Sequence, residues 1–106
     1  MLEIAVKAAD SKRAEDIIAL EVKEISLLAD YFLICSANTD RQISAIVDAI
    51  IEEEQKAKVQ IRRVEGKDGG KWILIDLGDV IVHVFSTSER AFYNLEKLWS
   101  DAPLVA

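Results

Sequence analysis

The chain holds one histidine, His83, and one cysteine, Cys35. His83 lies in KWILIDLGDVIVHVF, residues 71–85, which also carries Asp76 and Asp79 around a glycine. An imidazole near carboxylates is the raw material of acid–base catalysis, and paired aspartates are the raw material of a metal site. The spacing favours neither. Asp76 shares a strand face with His83 but sits two positions from the residue opposite it, and no nucleophile stands nearby. A lone histidine in an apolar strand reads as a hydrogen-bonded core residue. Asp76 and Asp79 are three apart with a turn between them, which does not set two carboxylates side by side, and no further ligand cluster accompanies them.

The remaining candidates fare no better. Cys35 lies inside an apolar strand, where a thiol acts as a small hydrophobe. Gly69-Gly70 lacks the Lys-Ser/Thr and the helix that make a phosphate loop. ICSANTD, residues 34–40, precedes a helix but has no glycine for close backbone approach to an anion. From chemistry alone the sequence supports no enzyme, no metal and no cofactor. Trp72 has two readings, a plug at the end of a sheet or an exposed anchor for a partner.

The elements that position these residues follow from periodicity. Residues 1–13 read as a helix along Leu2, Ala5, Ala8 and Ala9. Asp16 to Val22 is a β-branched run of strand length, and Ala29 to Ala37 is a strand apolar on both faces, hence internal to the sheet. Thr39-Asp40-Arg41-Gln42 is a capping box, with Thr39 accepting from the third amide and Gln42 reaching back. Ile43, Ile46, Val47 and Ile50 follow at helical spacing, giving a helix over 40–57. Val59 to Gly66 is a third strand, and Lys67 to Gly70 a loop.

The opening stretch then divides at Gly78-Asp79, a pair suited to a two-residue type II′ turn. That turn fixes a register in which Leu77 faces Val80, Ile75 faces Val82 and Trp72 faces Phe85. Trp72, Leu74, Asp76, Ile81, His83 and Phe85 then share one face. Ile73, Ile75, Leu77, Val80, Val82 and Val84 form the other, an aliphatic core face. Ser86 to Glu89 is a second capping box, opening a last helix along Phe92, Leu95, Leu98 and Trp99. The expected fold is α/β (α+β): one domain over 1–106, with a mixed five-stranded sheet and packed helices in the order helix, two strands, helix, three strands, helix.

Composition agrees with a folded soluble protein, since hydrophobic residues make up 51% and charged residues 30% of 106. No apolar run is long enough to span a bilayer, and the first residues, MLEIAVKAADSKR, show no signal-peptide pattern. One cysteine excludes an internal disulfide, and the cytoplasm is the expected location. Net charge is −6, with a pI of about 4.7. So acidic a chain repels nucleic acid unless its cations cluster, and Arg62-Arg63 is only a two-residue run. A basic protein partner suits it better.

ADYFLICSANTDRQ, the Val64-Glu65-Gly66 triplet, WILIDLGDVIVHVF and RAFYNLEKLWSDAP together resemble the ribosomal silencing factor family, also called Iojap-like. The resemblance spans nearly the whole chain in order. One position departs, with Ala37 standing where the family commonly has glycine. The resemblance implies a fold similar to nucleotidyltransferases without their catalytic motif. It also implies a non-catalytic protein that binds the large ribosomal subunit through its basic protein number fourteen, blocks joining of the small subunit, and lowers translation when nutrients are short. Carried over by position, it implies a binding surface of Trp72, Leu77, Asp79 and Asp76 at the turn end of the hairpin. Trp72 and Leu77 alternate to opposite faces, so both reach one partner only if the turn or a bulge re-aims Leu77. A homodimer in the free state is compatible with this reading. The rival classes are a small nucleotidyltransferase-like enzyme and a generic dimerisation module.

Overall fold

The structure is a computed structural model that describes residues 1–24, 27 and 29–89. Along the chain run α1 (Leu2–Ser11), β1 (Glu15–Glu21), β2 (Tyr31–Ala37), α2 (Asp40–Lys56), β3 (Arg63–Glu65), β4 (Trp72–Asp76) and β5 (Val80–Ser86). The strands form one five-stranded sheet in the order β1-β2-β5-β4-β3. Only β2 and β5 pair in parallel, so the sheet is mixed, as the element pattern predicts. The last helix expected along Phe92 to Trp99 lies outside the described residues. Its capping box is partly inside, and there the Glu89 amide donates to Ser86 Oγ at 3.2 Å.

Strand alternation divides the interior in two. One cluster takes Leu33, Cys35 and Ala37 from β2, Ile73 and Ile75 from β4, and Val80, Val82 and Val84 from β5. Onto it pack α1, through Ala5, Ala8 and Ala9, and α2, through Ile43, Ile46, Val47 and Ile50. The short α1 side chains bring that helix close to its neighbours, and the isoleucines of α2 fill the space over the sheet. The opposite face holds Leu20, Phe32, Ile34, Ile81 and Phe85, with Trp72 and Leu74 packed against them. β2 is buried along nearly all its length, as its two-sided apolar sequence requires.

Two elements depart from the sequence reading. Thr39 caps α2 as expected, accepting from the Gln42 amide at 3.1 Å. The Gln42 side chain does not reach back. Its amide instead donates to the carbonyls of Arg13 at 2.9 Å and Lys12 at 3.3 Å, tying the N-terminus of α2 to the end of α1. These carbonyls lie where a helix ends and lack intrahelical partners, so they compete for the donor. The third strand is much shorter than residues 59–66. It is an edge strand whose one partner, β4, has five residues, so pairing is confined to 63–65 plus an Arg62 amide bond to the Asp76 carbonyl at 2.8 Å. Val59 and Ile61 leave the ladder and pack against the core.

The hairpin register is the one the turn dictates: Trp72 opposite Phe85, Leu74 opposite His83, Ile75 opposite Val82. The Leu77 amide donates to the Val80 carbonyl at 2.9 Å, and Gly78 adopts φ +96°, a left-handed value that glycine accepts without strain. Gly66 is held more tightly. Its φ is +88°, and a Cβ there would lie 2.1 Å from the Trp72 carbonyl oxygen. Only glycine lets the 66–71 loop close against the start of β4.

At the other edge, β1 pairs with β2 from Ile18 to Glu21, and again at Glu15, with a bulge between. Asp16 occupies the bulge at φ +49°.

Candidate docking face

The outer face of β4 and its edge neighbour β3 carries Trp72, Leu74 and Asp76 beside Arg63 and Glu65. The first three are half-buried and the last two exposed, so this end of the sheet is less covered than the β2–β5 centre. Arg63 lies 3.3 Å from Glu65 and 3.9 Å from Asp76. At this exposure such pairs add little stability, but they leave the guanidinium already matched to carboxylates.

Trp72 begins β4 immediately after the glycine-bearing loop. Its indole stacks on Phe85, with ring centroids 4.8 Å apart and planes at 27°. Its Nε1–H donates to His83 Nδ1 at 3.1 Å. His83 is only 6% exposed, and its ring meets the edge of Phe32 at 5.2 Å. Burial lowers its pKa from 6.5 to about 4, so the imidazole is neutral at physiological pH. Indole can only donate, hence Nδ1 must accept and the ring proton sits on Nε2. Nε2 is buried with no hydrogen-bond partner among the described residues. An imidazole with one nitrogen occupied by an indole and the other enclosed has no route to a substrate. His83 is a hydrogen-bonded core residue, as the sequence suggests.

The other site candidates are less united than expected. Asp76 Oδ1 accepts from the Gly78 amide at 2.9 Å, so this carboxylate caps the turn. Asp79 is exposed, and its carbonyl accepts from the amides of Asp30 and Tyr31 at 2.8 and 3.0 Å, fastening the turn to the start of β2. Leu77 is 3% exposed and belongs to the aliphatic core. No bulge re-aims it, because its amide stays in the ladder up to the turn. Trp72 is not at the turn end either. Gly78 lies six positions further along the chain, roughly 20 Å at strand rise. Trp72 and Asp76 therefore share a face, Asp79 marks its far end, and the Leu77 side chain is on the other side of the sheet.

A cleft of about 310 Å³ at the turn end is lined by Lys58, Val59, Gln60, Arg62, Leu77 and Asp79, among others, and one of about 270 Å³ by Ile4, Lys7, Ala8, Ser11 and Glu53. Neither contains His83, Cys35 or Asp76. Among the described residues no group of three or more His, Cys, Asp or Glu is placed to hold a metal ion. None of their helices is long and apolar enough to cross a membrane.

Two features escaped the sequence reading. The Trp72–His83 bond was accessible, since the two are diagonal neighbours on one face of an antiparallel pair, within reach of an aromatic side chain. Glu54 continues the buried stripe of α2 four residues after Ile50 and is 0% exposed. Neither carboxylate oxygen has a hydrogen-bond partner among the described residues, and burial raises its pKa, against a smaller opposing pull from the chain's amino terminus.

The whole chain, residues 1–106, matches the family described as ribosomal silencing factor during starvation. It is 55% identical over 104 residues to the ribosomal silencing factor RsfS of Bacillus subtilis, covering 98% of this chain and 88% of that one. A crystal structure from Bacillus halodurans superposes with a TM-score of 0.87 at 50% identity, covering 99% of this chain and 95% of that one. A more distant relative is the mouse protein named mitochondrial assembly of ribosomal large subunit protein 1. It is 28% identical over 102 residues, which cover 93% of this chain and 45% of the mouse protein.

Proposed function

The chain belongs to the ribosomal silencing factor family, and on that premise we propose that it represses translation without catalysis. It binds the large ribosomal subunit, chiefly through the basic protein number fourteen, and stands where the small subunit would dock. It does so in the cytoplasm when nutrients are short, as one domain over residues 1–106 and with no cofactor. Self-association of the free protein, where it occurs, is compatible with this role.

The observation that carries the reading is the family match across residues 1–106. The mouse relative's name, with its reference to the large subunit, points to the same kind of partner. The outer β4–β3 face supplies a place for it. Trp72 gives a large, partly exposed anchor, while Asp76 and Asp79 offer carboxylates toward a basic surface, and a chain of net charge −6 is drawn to such a surface. Leu77 serves this face from beneath, by seating the turn in the core. Direct RNA contact is minor, because Arg63 is already paired with carboxylates.

A domain docked on one subunit obstructs joining but has no energy source with which to separate joined ribosomes. Purified subunits mixed with excess protein are expected to give less light scattering from joined ribosomes, while joined ribosomes already formed stay intact. Undiminished joining would refute the proposal.

A further inference from the structure

Trp72 is the first residue of β4 and follows a loop with two glycines at positive φ. Stacking on Phe85 defines a plane for the indole, and among the described residues the Nε1–H bond to His83 Nδ1 defines which edge turns inward. His83 itself is gripped by Phe32 edge-on at 5.2 Å and lies nearly parallel to Phe85, with centroids 6.2 Å apart. An imidazole in this apolar wall, its Nε2 without a partner among the described residues, costs stability that a phenyl ring of similar shape would not. What the imidazole offers and a phenyl ring would not is the bond that Nδ1 accepts.

We propose that His83 is a positioning residue for docking: its Nδ1 holds the Trp72 indole with its N–H turned inward, so that Trp72 meets the partner with carbon alone. This rests on the reading of Trp72 as part of the docking face. It adds what that face requires of its partner, an apolar recess opposite Trp72 rather than a hydrogen-bond acceptor.

The test uses the full chain with two substitutions. His83→Phe keeps a flat ring and removes the acceptor, whereas His83→Asn places an amide oxygen near the position of Nδ1. Two measurements are made on each: solvent exchange of the Trp72 indole N–H by ¹⁵N NMR, told apart from Trp99 with Trp72→Phe, and the Kd for purified large subunits. In folded His83→Phe the indole proton should exchange roughly tenfold faster or more. Its affinity should fall about fivefold, the scale of one neutral hydrogen bond, with His83→Asn returning to within about twofold of the unmodified protein. Unchanged affinity in His83→Phe overturns the proposal, as does equal loss in both variants, which marks a packing role only. Trp72→Ala separates the two levels. If it weakens binding while His83→Phe does not, the docking face stands and the positioning role falls. If Trp72→Ala binds normally, or if the unmodified protein does not bind large subunits, the docking reading fails and takes the role of His83 with it.

Discussion

Acidification should destabilise this fold through one residue. The His83 imidazole is neutral in the folded protein down to a pH of about 4, and takes a proton near 6.5 once the chain unfolds. Above pH 6.5 both states are neutral and the native state has its full stability. Below it the unfolded chain binds a proton that the native chain refuses, so stability falls by about 1.4 kcal/mol per pH unit until the native ring also titrates. Across the whole window that is roughly 3 kcal/mol, a large share of what holds a small domain together. The experiment is best stopped at pH 5.5, because the pI of about 4.7 invites precipitation below that. Urea unfolding at pH 7.5, 6.5 and 5.5 is run on the unmodified protein and on His83→Phe. Between the extremes the unmodified protein should lose about 1.4 kcal/mol more than the variant, an added midpoint shift of roughly 1 M at a urea slope near 1.5 kcal/mol/M. Comparing the two cancels the carboxylates they share. Identical pH dependence would refute the reasoning, since it would mean that the imidazole is as accessible to protons in the folded chain as in the unfolded one.

Trp72→Ala removes a stack on Phe85 and strips His83 Nδ1 of its donor, so it should cost roughly 2–4 kcal/mol in urea unfolding. The folded fraction should also bind large subunits about thirtyfold more weakly, and normal binding by that fraction would exclude Trp72 from the interface. Glu54→Leu should stabilise the protein at pH 7 by on the order of 1–3 kcal/mol, because it removes a buried carboxylate with no partner among the described residues. With a raised folded pKa, the ionisation of Glu54 costs nothing below pH 4.5 and progressively more as pH rises, so the gain should shrink at acidic pH; a gain independent of pH would contradict this. Gly66→Ala should lose about 2 kcal/mol or more, through both its left-handed φ and the contact with the Trp72 carbonyl, and an unchanged unfolding midpoint would show that the loop can open at no cost.

Much of this was legible because the hairpin measures itself. A two-residue turn at Gly78-Asp79 leaves one register, and one register assigns every side chain from Trp72 to Phe85 to a face. The Thr39 cap and the isoleucine spacing of α2 were legible for a similar reason, since helical period and cap lie within a few residues of each other. What failed depended on neighbours distant in sequence. Gln42 was drawn away from its own helix end by carbonyls near residue 13, and the third strand was cut short by the length of β4. Leu77 was assigned to a partner surface by resemblance, against the alternation that correctly put it in the core. Trp72 was posed as plug or anchor, whereas its half-burial allows it to be both, with one edge of the indole fixed to the protein.

The bulge in β1 bears on how copies of this protein can meet. A regular outer strand is a template onto which a second molecule can zip its own, and sheets that grow this way end as fibres or swapped dimers. Here the template is interrupted between Glu15 and Ile18, with Asp16 twisted to φ +49° and Glu21 closing the strand. An incoming strand would find its hydrogen-bond spacing broken and carboxylates at both ends of the row. Any pairing of two copies is therefore steered away from this margin and toward side-chain surfaces. Such a contact can separate again without unravelling a sheet.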